Sequence, residues 1–149
     1  MKTLLALLLT LAWLPAALAV EQRSLTVADL EIPVSVYPGN GDKLLLWLPA
    51  EFGISARQNP VAEALTEAGT SVWMPNLHEA LFVPPGRYSF VGMDTAILRG
   101  LIQQAADTGK TVYLMAPGRM AALSLIAVRE WQADAGRSGL RQGAGNAQG

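Results

Sequence analysis

The segment Lys110–Trp131 constrains the fold of this chain more than any other stretch. It reads KTVYLMAPGRMAALSLIAVREW, which is a β-branched apolar run, an Ala-Pro-Gly turn and an apolar helical run. That order predicts a strand, a tight turn and a helix. The predicted helix is apolar nearly all round over Met120–Val128, so it should lie between a sheet and a second covering layer. The rest of the chain must supply the sheet.

The earlier segments have the patterns of that sheet and its helices. Two alternating stretches, Ser24–Val27 and Ile32–Tyr37, predict half-buried antiparallel strands, and Pro33 places the second at a sheet edge. The continuous apolar run Lys43–Leu48 predicts a strand buried on both faces, Thr70–Met74 predicts the next buried strand, and Thr111–Met115 is the strand that follows. Helices are predicted to begin at Asn59 and near Asp94, which is a good N-cap residue.

Strands that alternate with helices imply right-handed crossovers and a parallel sheet. The predicted fold class is therefore α/β: a three-layer α/β/α arrangement, with a mostly parallel sheet preceded by an antiparallel strand pair. The length of 149 residues allows one such domain.

The two ends of the chain differ in composition from the middle. Lys2, the apolar run Leu4–Leu14 and the small residues before Val20 predict a signal peptide over residues 1–19, cleaved between Ala19 and Val20. We therefore expect a periplasmic or secreted protein whose domain spans residues 20–132. Residues 133–149 are rich in Gly, Ala, Gln and Arg, which predicts a disordered tail.

The composition excludes several classes of function. A net charge of −1 argues against a nucleic-acid surface, and no run after the signal segment is apolar enough to span a membrane. The chain has no cysteine and a single histidine, which excludes thiol catalysis and makes a metal site improbable. No cofactor motif is present, so we expect no cofactor.

This arrangement resembles the α/β-hydrolase fold. In that family an oxyanion loop follows the third strand, and a nucleophile elbow joins the fifth strand to a buried helix. The segments that carry the resemblance are Leu44–Gly53, Thr70–Asn76 and Thr111–Val128. They correspond to roughly the first half of a typical member. The resemblance implies a hydrolase of the ester or acyl class.

The elbow departs from the family pattern at its centre. The usual motif G-x-S-x-G falls on Ala116–Met120, where Gly118 occupies the position of the nucleophile. Glycine enters the strained backbone region of such a turn almost without cost, so Gly118 preserves the turn and removes the reactive side chain. The acid and histidine of the family lie beyond a sixth strand that this chain does not show. By this resemblance the chain is either a degenerate member or a truncated or frameshifted form, and its activity stays open.

Polar residues follow three of the predicted strands, and ligands bind at the carboxyl ends of strands in open α/β sheets. Glu51 is a candidate base or a partner for Arg119, or alternatively a solvated carboxylate. His78 is a weak candidate base or ligand, or is simply hydrogen-bonded. Arg119 begins a helix, where it either binds an anion with the free N–H groups or pairs with a carboxylate. Together with Gly118, Asn76 completes the candidate binding residues.

Three functional hypotheses remain open from the sequence. One is an exported hydrolase-like protein without a working Ser-His-Asp triad. Another is a non-enzymatic periplasmic binding module, whose strand-end crevice binds a small anion or a protein partner. The third is a truncated fragment that folds poorly, whose apolar helix Met120–Val128 lacks cover on one face and favours a homodimer or aggregation.

Overall fold

The computed structural model describes residues 19–145, with side chains as far as residue 136, so the predicted signal segment up to residue 18 lies outside the described residues. The strands are β1 Glu21–Val27, β2 Leu30–Tyr37, β3 Lys43–Trp47, β4 Thr70–Pro75 and β5 Thr111–Met115. The helices are α1 Asn59–Glu67, α2 Leu77–Ala80, α3 Thr95–Ala106 and α4 Arg119–Gly145, and a short 3-10 turn, Ala56–Gln58, precedes α1.

The five strands form one mixed sheet in the order β1-β2-β4-β3-β5. β2 is antiparallel to both β1 and β4, whereas β3 is parallel to β4 and β5. The predicted fold class is confirmed. β1 and β5 are the two edge strands. Because β3, β4 and β5 run parallel, their carboxyl ends lie at the same end of the sheet.

The prediction that Pro33 marks a sheet edge is wrong, because β2 lies between β1 and β4. The β2–β4 pairing ends at Val34 and Pro75, so Pro33 lies one residue beyond it. The Pro33 carbonyl accepts a hydrogen bond from the Asn76 N–H at 2.7 Å. In an antiparallel strand, the N–H and C=O groups of one residue point toward the same neighbouring strand. Pro33 has no N–H to donate toward β4, but it lies beyond the last β2–β4 pair, so the two strands lose no hydrogen bond.

Helices cover the sheet on both faces and complete three layers. α1 packs on one face, where Tyr37, Val72 and Met74 form a small buried cluster with Ala62. α3 and α4 pack on the other face over the larger core. The side chains of that core with the least exposure include Ile32, Leu44, Leu46, Leu98, Leu101 and Met120.

Local signals fix where the helices begin and end. The Asp94 carboxylate accepts a hydrogen bond from the Ala96 N–H at 2.8 Å, which caps α3 as predicted. α1 carries proline in its first turn. After α1 and α3 the chain turns at Gly69 and Gly109, which have φ angles of +89° and +73°. Glycine adopts this left-handed conformation without steric cost.

α4 does not end at Gln132 but continues to Gly145, into the stretch whose composition predicts a disordered tail. Part of the reason is an ion pair between helices. Arg99 on α3 donates to Asp134 at 3.0 Å and lies 3.5 Å from Glu130. This pairing holds the first residues of the predicted tail against α3. Residues 146–149 lie outside the described part of the chain.

The length of α4 does not make it a membrane span. It has 27 residues, but none of the described helices combines the length and the hydropathy needed to cross a bilayer.

Close packing of α3 on β1 depends on Gly100, and this dependence is testable. A Cβ at Gly100 would overlap Val27 Cγ1, so we expect Gly100→Ala to destabilise the protein by about 1–3 kcal/mol. Urea unfolding measures the change. Gly136→Ala on α4 is the matched control: no described atom lies within 4 Å of its Cβ position, and the substitution should be neutral or stabilising by up to about 1 kcal/mol.

A double variant tests the cause. Val27→Ala removes the clashing methyl groups, so the double variant should be less destabilised than the sum of its two single variants. Additive effects would show that the contact between Gly100 and Val27 is not the reason.

Candidate functional site

The connection between β5 and α4 is a sharp turn whose central residue is Gly118. Its φ is +60°, a conformation that residues with a side chain rarely adopt. The chain therefore turns where the predicted elbow requires it, and glycine makes this turn with little strain. A serine in the same conformation would carry a strain of about 1–3 kcal/mol.

The Glu51 carboxylate occupies the space where a side chain at Gly118 would lie. A Cβ built on Gly118 would overlap Glu51 Oε2 and would lie 2.9 Å from Oε1. Glu51 follows β3 by four residues, and its side chain is 15% exposed. A side chain at position 118 and the carboxylate of Glu51 therefore exclude each other in this arrangement.

The same carboxylate caps the first N–H group of α4. Glu51 Oε1 accepts a hydrogen bond from the Arg119 N–H at 2.8 Å and lies 3.9 Å from Arg119 Nε. The backbone hydrogen bond from Arg119 is the main cause that lowers the pKa of the Glu51 carboxyl below its ordinary value of 4.5. The backbone N–H of Glu51 lowers this pKa further, burial opposes the shift, and the Arg119 charge adds a smaller lowering.

The backbone of Glu51 is held by a different part of the chain. Its carbonyl oxygen lies 2.8 Å from the Gly86 N–H nitrogen, 2.9 Å from His78 Nε2 and 3.0 Å from the Ser89 hydroxyl. All three groups belong to the connection that follows β4. Because the carbonyl is anchored on one side and the carboxylate binds Arg119 on the other, Glu51 joins the connections after all three parallel strands.

His78 does not face the elbow. Its Nε2 lies against the Glu51 carbonyl, so this nitrogen carries the proton and donates. The ring is 7% exposed and packs against Phe90 with centroids 4.6 Å apart. Nδ1 is buried and has no hydrogen-bond partner among the described residues. His78 is thus not hydrogen-bonded to the Glu51 carboxylate, and the two do not form a dyad of base and acid.

Asn76 also points away from the elbow. Its side-chain oxygen accepts from the Glu79 N–H at 3.3 Å, and its Nδ2 donates to Glu79 Oε2 at 2.8 Å. These bonds cap the short helix α2. The structure therefore brings Glu51, Gly118 and Arg119 together and places Asn76 and His78 in a neighbouring crevice.

That crevice lies between the connections after β3 and β4 and has a volume of about 680 Å³. Its rim carries two aromatic side chains that are largely in solvent: Phe52 is 74% exposed and Phe82 is 92% exposed. Phe82 also has a φ of +54°. Sequence reasoning missed both residues, because neither a loop phenylalanine nor its left-handed backbone leaves a periodic signal.

A second hollow of about 530 Å³ adjoins the elbow itself. It is lined by Trp47, Met115, Pro117 and the polar residues Ser55 and Gln58. The Ser55 hydroxyl caps the 3-10 turn by accepting from the Arg57 N–H, and its backbone N–H donates to Gln58. Neither hollow holds a metal site: in residues 19–145 no three His, Asp or Glu side chains converge.

The order of the strands, the turn at Gly118 and the helix that follows it against the sheet define the α/β-hydrolase fold. Solved structures of that fold match the chain. It is similar to dienelactone hydrolase from Anabaena variabilis with a TM-score of 0.56 and 19% identity, covering 75% of this chain and 57% of that one. It is also similar to a thioesterase domain from the curacin biosynthetic pathway, with a TM-score of 0.52 and 15% identity, over 70% of this chain and 39% of that one.

These likenesses confirm the resemblance to the fold. The chain spans little more than half the length of the first structure and less than half of the second. No protein-family model matches the sequence, and no curated protein matches it. What the similar enzymes act on therefore enters only as a basis for proposals.

The charge of Glu51 should make the free energy of unfolding depend on pH in the acid range. The folded-state pKa is lowered, so its contribution is fully present above the unfolded value near 4.5 and is lost as pH falls through the folded pKa. We expect Glu51→Gln to be less stable than wild type at pH 7. The difference in free energy of unfolding should shrink as the pH falls below about 4.5.

Urea unfolding at several pH values between 7 and 3 measures this difference. Glu67→Gln, on the exposed end of α1, removes the same charge away from the site and is the control. A constant difference between wild type and Glu51→Gln across this range would show that the carboxylate does not interact with Arg119 in solution.

Proposed function

We propose that this chain is an exported protein of the α/β-hydrolase fold that has no working Ser-His-Asp triad and acts as a binding module through its strand-end crevice. The observation that supports this proposal is the Glu51 carboxylate, which occupies the place of the nucleophile's side chain at Gly118. Enzymes that share the fold, such as the dienelactone hydrolase, suggest the ester or acyl class for any substrate.

Electrostatics opposes acyl transfer at this elbow. In the family, the N–H of the residue after the nucleophile stabilises the oxyanion of the tetrahedral intermediate. Here that N–H belongs to Arg119 and already donates to Glu51 at 2.8 Å. An oxyanion formed nearby would meet a carboxylate whose lowered pKa keeps it ionised at neutral pH. Like charges in a partly buried site repel strongly, so the site destabilises the intermediate that a hydrolase must stabilise.

The same carboxylate argues against a small anion as the ligand at Arg119. The positive end of α4 and the Arg119 guanidinium are both engaged by Glu51. The helix N-terminus is therefore satisfied within the chain. The crevice beside it remains open, and we assign the binding role to the crevice, with a small molecule or a protein segment as its partner.

Export is supported by the position of the first strand. β1 begins at Glu21, directly after the predicted cleavage between Ala19 and Val20. Removal of the signal segment would leave all five strands intact. We propose a periplasmic or secreted location on this basis.

Ester turnover tests the absence of a triad. We expect the mature chain to release p-nitrophenol from p-nitrophenyl butyrate no faster than Glu51→Gln, because neither variant has a nucleophile with a paired base. Intact-mass analysis after fluorophosphonate treatment should show no adduct. Turnover by wild type that falls at least about tenfold in Glu51→Gln, or a fluorophosphonate adduct on this chain, would overturn the proposal.

The outer face of α4 supports a second proposal, a homodimer through Met120–Val128. Met120, Ser124 and Ala127 are buried against the core, whereas Leu125 is 73% exposed and Ile126 is 50% exposed. Adjacent apolar side chains on the solvent side of a helix favour association.

Size-exclusion chromatography with light scattering measures this association. We expect a dimer for wild type and a monomer for Leu125→Asp, because a charge in the apolar contact is left unpaired. Val61→Asp, at a 48% exposed position on the opposite layer, is the matched control and should remain dimeric. A monomeric wild-type chain would contradict the dimer.

A further inference from the structure

The crevice between the connections after β3 and β4 has an unusual balance of polar groups. Its lining includes the Glu79 carboxylate and the His78 ring, but no lysine or arginine. His78 Nε2 donates to the Glu51 carbonyl, and one of the two N–H groups of the Asn76 amide donates to Glu79. The one charged side chain in the lining is the Glu79 carboxylate.

No ion pair neutralises the charge of Glu79. It forms none of the ion pairs seen in the described residues, and its carboxylate accepts a hydrogen bond from the neutral Asn76 amide at 2.8 Å. Glu51 differs from it, because its charge is compensated by Arg119 and the first turn of α4. The carboxylate free to attract a ligand is therefore Glu79.

The apolar part of the crevice is aromatic. Phe52 and Phe82 stand at the rim with 74% and 92% of their surface in solvent, and Pro84 and Pro85 form part of the wall. The left-handed backbone of Phe82 belongs to the turn that ends α2, where the Phe82 N–H donates to the Glu79 carbonyl at 3.2 Å and the Val83 N–H donates to the His78 carbonyl at 3.0 Å. This turn fixes the Phe82 backbone at the rim, while its side chain stays in solvent.

We propose that this crevice binds a small organic ammonium ion with an aromatic body. The ammonium group donates to the Glu79 carboxylate, while the aromatic body packs on Phe82 and Phe52. Aromatic faces attract cations as well as apolar surface, so both parts of the crevice favour the same ligand class. This inference rests on the proposed binding role of the crevice and specifies its ligand.

Titration of the ¹⁵N-labelled mature chain tests the proposal. The probes are 2-phenylethylammonium, 3-phenylpropionate and 2-phenylethanol, which share the aromatic ring and differ in charge. We expect 2-phenylethylammonium to shift the amide signals of Gly53, Glu79 and Phe82 and to bind at least about tenfold more tightly than the other two probes. Its affinity should fall as salt is raised.

Three variants locate the site. Glu79→Gln should weaken the ammonium ion about five- to tenfold, and it keeps the acceptor for the Asn76 amide, so the fold is preserved. Phe82→Ser should weaken all three probes. Glu67→Gln removes one negative charge on α1 and should change nothing. Equal affinity for the ammonium and carboxylate probes, or unchanged ammonium binding by Glu79→Gln, would overturn the proposal.

The ester assay separates this inference from the proposed function. Absence of ammonium binding together with absence of turnover would reject the ligand class and leave the non-hydrolytic role standing. Turnover that depends on Glu51 would reject the proposed function whatever the probes show.

Discussion

Glu51 connects the three loops that the sheet brings together at the carboxyl ends of its parallel strands. Its carbonyl is held by the connection after β4, through Gly86, His78 and Ser89. Its carboxylate caps α4 through the Arg119 N–H. A loop residue held at both its backbone and its side chain loses most of its freedom, so this contact fixes the elbow and one wall of the crevice. The elbow and the crevice are thus not independent features.

Gly118 and Glu51 make sense only as a pair. A serine at position 118 would have both backbone strain and a clash with the carboxylate. Without a carboxylate at position 51, the first N–H group of α4 would lose the acceptor that it now has. The glycine gives the carboxylate its room, and the carboxylate satisfies the helix end that the turn exposes. The elbow backbone therefore persists without the reactive side chain for which that backbone is otherwise suited.

The sequence predicts the layers of this fold better than it predicts the site. Continuous apolar runs and helix caps are local signals, and they place β3, β5 and α3 with little dependence on the rest of the chain. The edge position predicted from Pro33 is wrong because a proline is tolerated wherever the pairing with β4 stops. Where that pairing stops depends on the tertiary structure and not on the local sequence. The end of α4 lies beyond Gln132, the predicted end of the helix, and the pairing of Arg99 with Asp134 there is a contact that the apolar pattern does not predict. Composition and periodicity contain no information about such long-range contacts.

The same distinction applies to the site. Strand-end geometry predicts that Glu51, His78 and Arg119 approach one another, but not which of their atoms face inward. That choice depends on the turn at Gly53, with a φ of +89°, and on the connection after β4. The two carboxylates therefore differ in their partners. The Glu51 carboxylate caps the N-terminus of α4, whereas the charge of Glu79 has no ion-pair partner among the described residues and lies in the crevice with the exposed aromatic rings. The Glu51 carboxylate blocks the elbow of this α/β-hydrolase fold, but the neighbouring crevice still has a charged group and an aromatic rim. Binding of a ligand in that crevice needs no nucleophile.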